Sequence, residues 1–420
     1  MQNKKFGAAI DIGTTTVALH LIDMETDVRL ATIGGANAQS PYGADVTSRI
    51  RYCSDNGHEP LTKVIRDQIS AMINDACSQA GILPDRIEYI SVAANTIMQH
   101  IAAGYSPVKM GVAPFTTISL FGEELPAWDN LSVSKNASIY YTPAISAYVG
   151  GDITAGLLAA GFENITDPAI FLDIGTNGEI VLKHKGVYYC CATAAGPAFE
   201  GAEIEMGMPA EPGAIDHVKI ITQGDGDISS SVKVFSPVEF KEAKNSVVFS
   251  YIKQETEKPK GICGSGLLDT LAVLLDIGAV DETGRLLESD RYYISKEYDI
   301  YVTAGDIRKL QLAKAAIAAG IQVLLHFAGI TEADVKLLAL AGGFGSHMDL
   351  KSAARIGLFP KSLLPAAKTY GNTAGEGAAL ALTSENTRSR LMKIREQCEY
   401  IELSTMTFFN DKFVDQMSFE

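Results

Sequence analysis

The sequence predicts an α/β protein built of two lobes, and three observations lead to this fold class. The chain has 420 residues, which exceeds the size at which one hydrophobic core usually stops growing. Two segments, about one lobe's length apart, repeat a strand–turn–strand pattern around Asp-Ile-Gly-Thr. A third segment passes from an apolar strand into a glycine-rich turn. Together these observations favour two lobes of related design that face one cleft.

Composition and charge narrow the class of protein. Hydrophobic residues make up 47% and charged residues 20% of the chain, which is typical of a globular protein. The net charge of −15 repels phosphate backbones, so nucleic acid is not expected as a partner. No stretch approaches the ~18 apolar residues of a membrane span, and Asp11 interrupts the N-terminus before a signal-peptide core could form. We therefore expect a cytoplasmic protein without a membrane partner.

The six cysteines show neither a C-x-x-C pair nor the spacing of a zinc or iron–sulfur site. We expect reduced, mostly buried thiols and no iron–sulfur cluster in this chain. Cys263, within GICGSG, is the only cysteine whose glycine-rich context could line a site.

The repeated motif has the chemistry of a phosphate site. It appears as AAIDIGTTTVALHLID over residues 8–23 and as IFLDIGTNGEIVLKHK over residues 170–185. Gly13 and Gly175 permit a tight turn and a close approach of the backbone to a ligand. Turn amides and hydroxyls can donate hydrogen bonds to phosphate oxygens. The candidate phosphate-binding residues are therefore Thr14, Thr15, Thr16, Thr176 and Asn177.

The two aspartates of the repeat are candidate metal ligands. Asp11 and Asp173 stand at the ends of apolar strands, and they are expected to hold Mg²⁺ through water, since this ion keeps much of its hydration shell. The alternative is a pair of ordinary hairpins with polar turns. A single copy would leave that alternative favoured, whereas two copies at one-lobe spacing favour the phosphate site.

The glycine-rich turn belongs to LLALAGGFGSHMDL, residues 337–350. Gly342, Gly343 and Phe344 would let a flat adenosine lie against the backbone. On its own this signal is weak, because a strand followed by glycines opens many α/β turns.

Read in order, these motifs resemble those of the sugar kinase, actin and heat-shock chaperone superfamily. The resemblance implies an actin-like ATPase fold, with two ribonuclease H-like lobes flanking a nucleotide cleft. The small-residue helix within residues 142–161 resembles the superfamily's connecting helix, which makes Asp152 the expected water-orienting group or base. An Asp acting only as a helix cap is the alternative. Gln311 and Lys314, on the predicted helix 306–325, match positions that contact adenine and ribose.

Further blocks make the resemblance more specific. The chain is similar throughout to the ATPase domain of the reductive activators of corrinoid proteins. The blocks that carry this similarity are YGADVTSRI (42–50), ANTIMQHIAAG (94–104), VGGDITAG (149–156), ATAAGPAFEGAEIEMGMPAEPGAI (192–215), GICGSGLLD (261–269), IGLFP (356–360) and GNTAGEGAAL (371–380). Of these, AAGPAFEGA and GICGSG are not general features of the superfamily. Gly196 and Pro197 of the first are expected near the cleft.

This resemblance implies a function. Such activators use ATP to drive the reduction of an inactive cobalt(II) corrinoid protein to cobalt(I) in methyltransferase systems, and homodimers are typical. Their electron comes from an iron–sulfur cluster, commonly in an N-terminal ferredoxin-like domain. This sequence begins five residues before its first predicted strand, so we expect the donor to be another domain or another protein.

The predicted organisation places lobe I at residues 1–150 and lobe II at residues 151–380, with a β-rich insertion at about 216–260. Residues 381–420 would form a C-terminal helix and strand that pack back on the lobes. Three alternatives for the function stay open at this point. They are a small-molecule kinase of the same fold, a nucleotide-responsive binding module that does not hydrolyse ATP, and an activator of 2-hydroxyacyl-CoA dehydratases.

Overall fold

The structure is a computed structural model that describes residues 5–222, 233–234, 245–252, 258–287, 289–345 and 348–419. The chain divides into two compact units. The first unit comprises Met1–Asp167, Lys183–Cys191 and Asn372–Ile401, and the second comprises Pro168–Leu182, Ala192–Gly371 and Glu402–Glu420. These limits differ from the predicted boundaries at residues 150 and 380.

The N-terminal part of the chain supplies six strands and four helices. The strands are β1 (Phe6–Ile12), β2 (Thr16–Asp23), β3 (Val28–Ala36), β4 (Ile87–Ala94), β5 (Glu124–Pro126) and β6 (Ser138–Tyr141). The helices are α1 (Val46–Asn56), α2 (Glu59–Ala80), α3 (Thr96–Ala103) and α4 (Gly151–Ala159).

The strands of the first unit form one sheet of order β3-β2-β1-β4-β6-β5. Strand β1 pairs antiparallel with β2 and parallel with β4, and β4 pairs parallel with β6. Because β1 and β4 run in the same direction, Asp11 lies opposite Ala93 in their register. Their carboxyl ends therefore meet at one edge of the sheet, which is where α/β proteins usually bind ligands.

Helices cover both faces of this sheet. On one face, Ile10, Leu19 and Val92 belong to a buried core that includes residues of α1, α2 and α3. On the other face, small residues of the sheet pack against small residues of α4 and of a C-terminal helix, α9 (Thr373–Thr383). A Cβ added to Gly377 would lie 2.2 Å from the Ala155 carbonyl oxygen. This tight packing explains why α4 and residues 372–401 belong to the first unit.

In its described residues, the middle part of the chain contributes eleven strands and four α-helices. The strands are β7 (Ala169–Ile174), β8 (Gly178–His184), β9 (Val187–Thr193), β10 (Ala214–Thr222), β11 (Lys233–Val234), β12 (Asn245–Tyr251), β13 (Gly261–Ile262), β14 (Arg291–Ser295), β15 (Ile300–Thr303), β16 (Leu337–Ala341) and β17 (Ala367–Gly371). The helices are α5 (Gly264–Asp276), α6 (Ala304–Ala328), α7 (Gly342–Gly345) and α8 (Leu350–Arg355). The C-terminal part adds α9 (Thr373–Thr383), α10 (Glu385–Glu396), β18 (Cys398–Tyr400) and α11 (Thr407–Asp415).

The second large sheet repeats the strand order of the first. Its order is β17-β16-β7-β8-β9-β18, so β9-β8-β7-β16-β17 corresponds to β3-β2-β1-β4-β6. Strand β16 pairs parallel with both β7 and β17. Asp11 of β1 and Asp173 of β7 thus stand on equivalent strands, which confirms the predicted repeat of one design.

A separate four-stranded sheet has the order β11-β12-β10-β13. It lies in the region of the predicted β-rich insertion. Residues 223–232, 235–244 and 253–257 of that region lie outside the described residues.

Within the described ranges, one helix, α6, has a length and composition that would also suit a membrane span. Of its most apolar stretch, 78% is buried inside the protein. This degree of burial is typical of a helix in the core of a protein.

All six cysteines are free thiols, five of them buried, as the sequence predicts. Burial raises the pKa of the Cys53 and Cys77 thiols to about 11, which disfavours the reactive thiolate. Cys263 is also buried, with its Sγ 3.3 Å from Ser265 Oγ and 3.4 Å from the Ile215 carbonyl oxygen.

Candidate functional site

The first candidate site lies in the first unit, where β1 delivers Asp11 to the sheet edge. Asn372 Nδ2 donates a hydrogen bond to Asp11 Oδ2 at 2.9 Å, and Asn372 Oδ1 accepts from the Gly375 amide at the start of α9. Burial raises the pKa of Asp11 to about 6, although the hydrogen bond from Asn372 acts in the opposite direction. The carboxylate is therefore ionised at neutral pH but poorly solvated, a state that a bound cation would stabilise.

The turn after Asp11 is fixed through its carbonyl oxygens. Asn37 Nδ2 donates to the Gly13 oxygen at 2.8 Å, and the Asn37 amide donates to the Thr15 oxygen at 2.8 Å. The Thr14 oxygen accepts from Arg49 Nη2 at 2.7 Å. Since each of these three carbonyls has a protein donor, a rotation of the turn would break hydrogen bonds, and these bonds hold it in one conformation.

Gly13 and Arg49 are both required by the shape of this turn. A Cβ added to Gly13 would lie 2.7 Å from the Thr16 carbonyl oxygen. The Arg49 side chain is fully buried, and its Nε also donates to the Gly43 oxygen at 3.0 Å. Burial lowers the pKa of Arg49 to about 10, so the guanidinium stays charged at neutral pH.

Asp152 lies at the same sheet edge as Asp11. Asn95, which follows β4, donates from Nδ2 to Thr14 Oγ1 at 3.1 Å. The start of α4 packs directly on this residue, because a Cβ added to Gly150 would lie 2.4 Å from Asn95 Cα. Asp152 follows in the first turn of α4, and its Oδ1 accepts from the Ile153 amide at 2.8 Å. Asn95 therefore contacts both the turn that carries Thr14 and the start of the helix that carries Asp152.

The second candidate site lies in the second unit, around Asp173. Parallel pairing of β7 with β16 sets Asp173 opposite Ala341, immediately before Gly342. Gly342 has a φ of +84°, and a Cβ there would lie 2.4 Å from Asp173 Oδ1. Any side chain at position 342 would displace the Asp173 carboxylate, so this position requires glycine. Gly343 follows, and a Cβ added to it would meet no atom within 4 Å.

The second turn is held by a backbone bond and by one carboxylate. The Gly175 amide donates to the Asn177 oxygen at 2.9 Å, which closes the turn on itself. Thr176 Oγ1 donates to Glu200 Oε2 at 3.1 Å. Glu200 therefore adds a second carboxylate beside the turn that follows Asp173.

Two of the specific sequence blocks meet the glycine-rich turn in the second unit. The rings of Phe199 and Phe344 stack at 5.3 Å between centroids. A Cβ added to Gly264, in GICGSG, would lie 1.7 Å from the Phe199 oxygen and 2.9 Å from Phe344 Cε2. The blocks AAGPAFEGA, GICGSG and GGFG therefore form one packed cluster. Gly196, with a φ of +76°, and Pro197 open the short helical turn that presents Phe199.

Gln311 and Lys314 have a different environment. Both are buried on α6, and Gln311 Nε2 donates to the Thr283 oxygen at 2.9 Å and to the Met417 oxygen at 2.8 Å. Lys314 Nζ donates to the Ser418 oxygen and lies 4.8 Å from the Phe419 ring centroid. These contacts fix the C-terminal segment on α6. The adenosine contacts predicted for both residues stay a prediction.

The donor groups around the two aspartates fit Mg²⁺ and phosphate. Asp11 has a partly buried carboxylate with a raised pKa, and hydroxyls and a glycine turn follow it. In the described part of the chain, no group of three or more His, Cys, Asp and Glu side chains is placed to bind a metal directly. Each aspartate could bind Mg²⁺ through water, since this ion keeps much of its hydration shell.

Sequence reasoning missed several residues that position the site. They are Asn37, Arg49, Asn95 and Asn372 in the first unit. Asn95 and Asn372 could have been noticed as helix N-caps, because Asn directly before a helix is a start signal. Nothing in the local sequence indicates that the buried Arg49 reaches a turn 35 residues earlier.

Comparison with known proteins gives the family. The family model described as "C-terminal domain of RACo the ASKHA domain" matches residues 167–420, and the model described as "RACo middle region" matches residues 6–165. The corrinoid activation enzyme RamQ of Eubacterium limosum is 31% identical over 98% of this chain and 69% of its own length. The Co(II) methylated amine-specific corrinoid protein reductase of Methanosarcina barkeri is 26% identical over 99% of this chain and 77% of its own.

A solved structure agrees with these relatives. It is a reductive activator for corrinoid,iron-sulfur protein, which is 34% identical and superimposes with a TM-score of 0.84 over 100% of this chain and 66% of the other. The chain thus spans about two thirds to three quarters of the length of the proteins that it matches. It belongs to the RACo family, the reductive activators of corrinoid proteins, and has the ASKHA, or actin-like, fold that the sequence predicts.

Proposed function

We propose that this chain binds ATP with Mg²⁺, hydrolyses it, and uses the cycle to drive reduction of a corrinoid protein from cobalt(II) to cobalt(I). The observation that carries the proposal is the repeated strand order, which sets Asp11 and Asp173 on equivalent strands directly before glycine turns. The names of the relatives supply the corrinoid protein as the partner.

Each group in the two sites has a proposed role. Asp11 and Asp173 hold the hydrated Mg²⁺, which neutralises phosphate charge when bound. The turns bind phosphate through Gly13, Thr14, Thr15, Thr16, Gly175, Thr176 and Asn177. Asp152 orients or deprotonates the attacking water. Gly342, Gly343 and Phe344, with Gly196 and Pro197, contact the adenosine, and Gln311 and Lys314 are further candidates for it.

The electron has a separate source in this proposal. One electron reduces cobalt(II) to cobalt(I), and an iron–sulfur domain or protein outside this chain is oxidised by one electron. ATP acts by favouring one of two states of the activator, and a shift from 1:99 to 99:1 requires about 5.5 kcal/mol of differential binding. A cytoplasmic homodimer is part of the same proposal.

The experiment measures phosphate release from ATP and Mg²⁺ by the purified chain without any added acceptor. We expect turnover in wild type and a loss of roughly 100-fold in Asp152→Ala, the scale of a general base. Asp55→Asn changes an exposed carboxylate on α1 and should behave as wild type. Cobalt(I) formation is then followed in the absorption spectrum of a corrinoid protein, with a one-electron reductant and with or without ATP.

Other outcomes would identify the alternatives. Phosphate transfer that requires a sugar or an acid would make the chain a small-molecule kinase. Nucleotide binding without hydrolysis would make it a binding module. Unchanged single-turnover hydrolysis in Asp152→Ala would remove Asp152 as the base.

A further inference from the structure

A cavity lies in the first unit and involves none of the residues assigned above to the nucleotide. Its volume is about 410 Å³, which is within the usual range of small-molecule pockets. Its walls are the short helical turn after α4 (Phe162–Asn164), the β8–β9 hairpin and one face of α10. The walls carry more basic than acidic side chains, in a chain whose net charge is −15.

A buried ammonium group forms part of the lining. Lys183 is only 7% exposed, and its Nζ donates to the Phe162 oxygen at 2.6 Å and to the Glu163 oxygen at 3.1 Å. An ammonium group has three protons to donate. In the described part of the protein, these two carbonyls are its only hydrogen-bond acceptors, so one N–H remains for a ligand.

A buried hydroxyl lies beside it. Tyr188 also lines the cavity and is 1% exposed, and its ring centroid lies 5.2 Å from Lys183 Nζ. A tyrosine hydroxyl can donate one hydrogen bond, so an acceptor atom in the cavity can bind the Tyr188 hydroxyl.

The charged residues of the lining give it a net positive charge. Arg390 and Glu163 form a bidentate ion pair, in which Arg390 Nε lies 3.0 Å from Glu163 Oε2 and Arg390 Nη2 donates to Glu163 Oε1. Lys393 lines the same cavity from α10 and is exposed. It makes no ion pair within the described ranges. Because Glu163 neutralises Arg390, the charges of Lys183 and Lys393 remain, in a chain whose net charge is −15.

We propose that this cavity binds a small multivalent oxyanion, that is, a metabolite carrying phosphate or several carboxylate groups. The Lys183 ammonium, the Tyr188 hydroxyl and the Lys393 ammonium are all donors, so they select a ligand rich in acceptors. A cation would be repelled by the two lysines, and an apolar molecule would leave the donors unsatisfied. Phosphate and carboxylate ligands share this chemistry, and the test separates them.

The test is isothermal titration of the purified chain with pyrophosphate and, separately, with citrate. Tyr188→Phe removes only the hydroxyl and should weaken binding roughly tenfold, the effect of a hydrogen bond to a charged group. Lys393→Gln removes one exposed charge and should weaken binding about three- to tenfold, with a smaller salt dependence. The probe that binds more tightly identifies the natural headgroup as phosphate or polycarboxylate.

Two matched controls separate this cavity from other anion-binding surfaces. Tyr189→Phe changes the next residue of β9, whose side chain points to the other face of the sheet. Lys351→Gln removes an exposed lysine on α8. Both controls should bind the probes as wild type does. Equal affinity in wild type and all four variants, or no binding at millimolar probe, would overturn the proposal. Lys393 is exposed, so its variant tests the site even if Tyr188→Phe folds poorly.

Discussion

The two Asp-Ile-Gly-Thr turns have the same sequence and are held in place by different means. Around the first, three side chains, Asn37, Arg49 and Asn95, bind the turn itself, and Arg49 and Asn95 reach it from 35 and 81 positions away. Around the second, Gly175 closes the turn with a backbone bond, and Thr176 binds the carboxylate of Glu200, 24 positions later. The first turn is thus held by several side chains, two of them from farther along the chain, whereas the second is held by a backbone bond and one side-chain contact.

The two aspartates are also held in place in different ways. Asp11 accepts a hydrogen bond from Asn372, 361 positions away. Asp173 keeps its place because Gly342, directly after the neighbouring strand β16, has no side chain. The same Asp-Ile-Gly-Thr motif can thus be positioned either by added hydrogen-bond donors or by the absence of a Cβ on a neighbouring residue. Each of the following variants tests one side of this difference.

The largest expected effect is that of Asp11→Asn. We expect ATP hydrolysis to fall at least about 100-fold, which is the scale for loss of a charged group acting on the transition state. The free energy of unfolding at neutral and higher pH should instead increase in this variant. Because burial raises the pKa of Asp11 from its ordinary 3.8 to about 6, folding favours the protonated carboxyl. Its contribution to stability is complete below pH 3.8 and is lost as the pH rises through 6.

At pH 8 Asp11→Asn should therefore unfold at a higher urea concentration than wild type. A shift of this size corresponds to about 3 kcal/mol, and partial exposure of the side chain reduces the expected gain to about 1–3 kcal/mol. The gain should disappear near pH 4. Urea midpoints at the two pH values, without nucleotide or metal, measure it, with Asp55→Asn as the control. A variant less stable than wild type at pH 8 would contradict the assigned burial cost.

The aspartate prediction also shows what sequence can supply. The two strands, their turns and their aspartates were predicted because a buried strand, a glycine turn and hydroxyls are consecutive in the chain. The cluster of Phe199, Gly264 and Phe344 was predicted only as separate blocks, since their contact depends on tertiary packing. For the same reason, the limits of the compact units differ from the predicted boundary at residue 150. Helix α4 packs on Asn95 and Ala155 on Gly377, and neither contact is visible in local patterns.

The next effect in size is expected for Arg49→Lys, which tests the long-range support of the first turn. Lysine cannot donate to the Thr14 and Gly43 oxygens in the fork geometry of a guanidinium. We expect the free energy of unfolding to fall by about 2–4 kcal/mol, because buried acceptors lose their donor and a buried charge loses partners. Nucleotide affinity should fall as well.

Chemical denaturation and nucleotide titration measure the two effects of Arg49→Lys. The control is Arg51→Lys, at an exposed position of the same helix, which should match wild type. If Arg49→Lys were as stable as wild type, the first turn would not depend on the bonds that Arg49 makes.

The smallest effect is expected for Thr176→Val, which tests the local support of the second turn. The substitution keeps the shape of the side chain and removes the hydroxyl that donates to Glu200 at 3.1 Å. One hydrogen bond of this kind contributes about 0.5–1.5 kcal/mol, so the denaturation midpoint should fall slightly. Thr176→Ser retains the hydroxyl and should recover most of the loss. Because the Gly175–Asn177 bond is independent of this side chain, the turn should keep its shape. A loss as large as that of Arg49→Lys would mean that the second turn, like the first, depends on side-chain support.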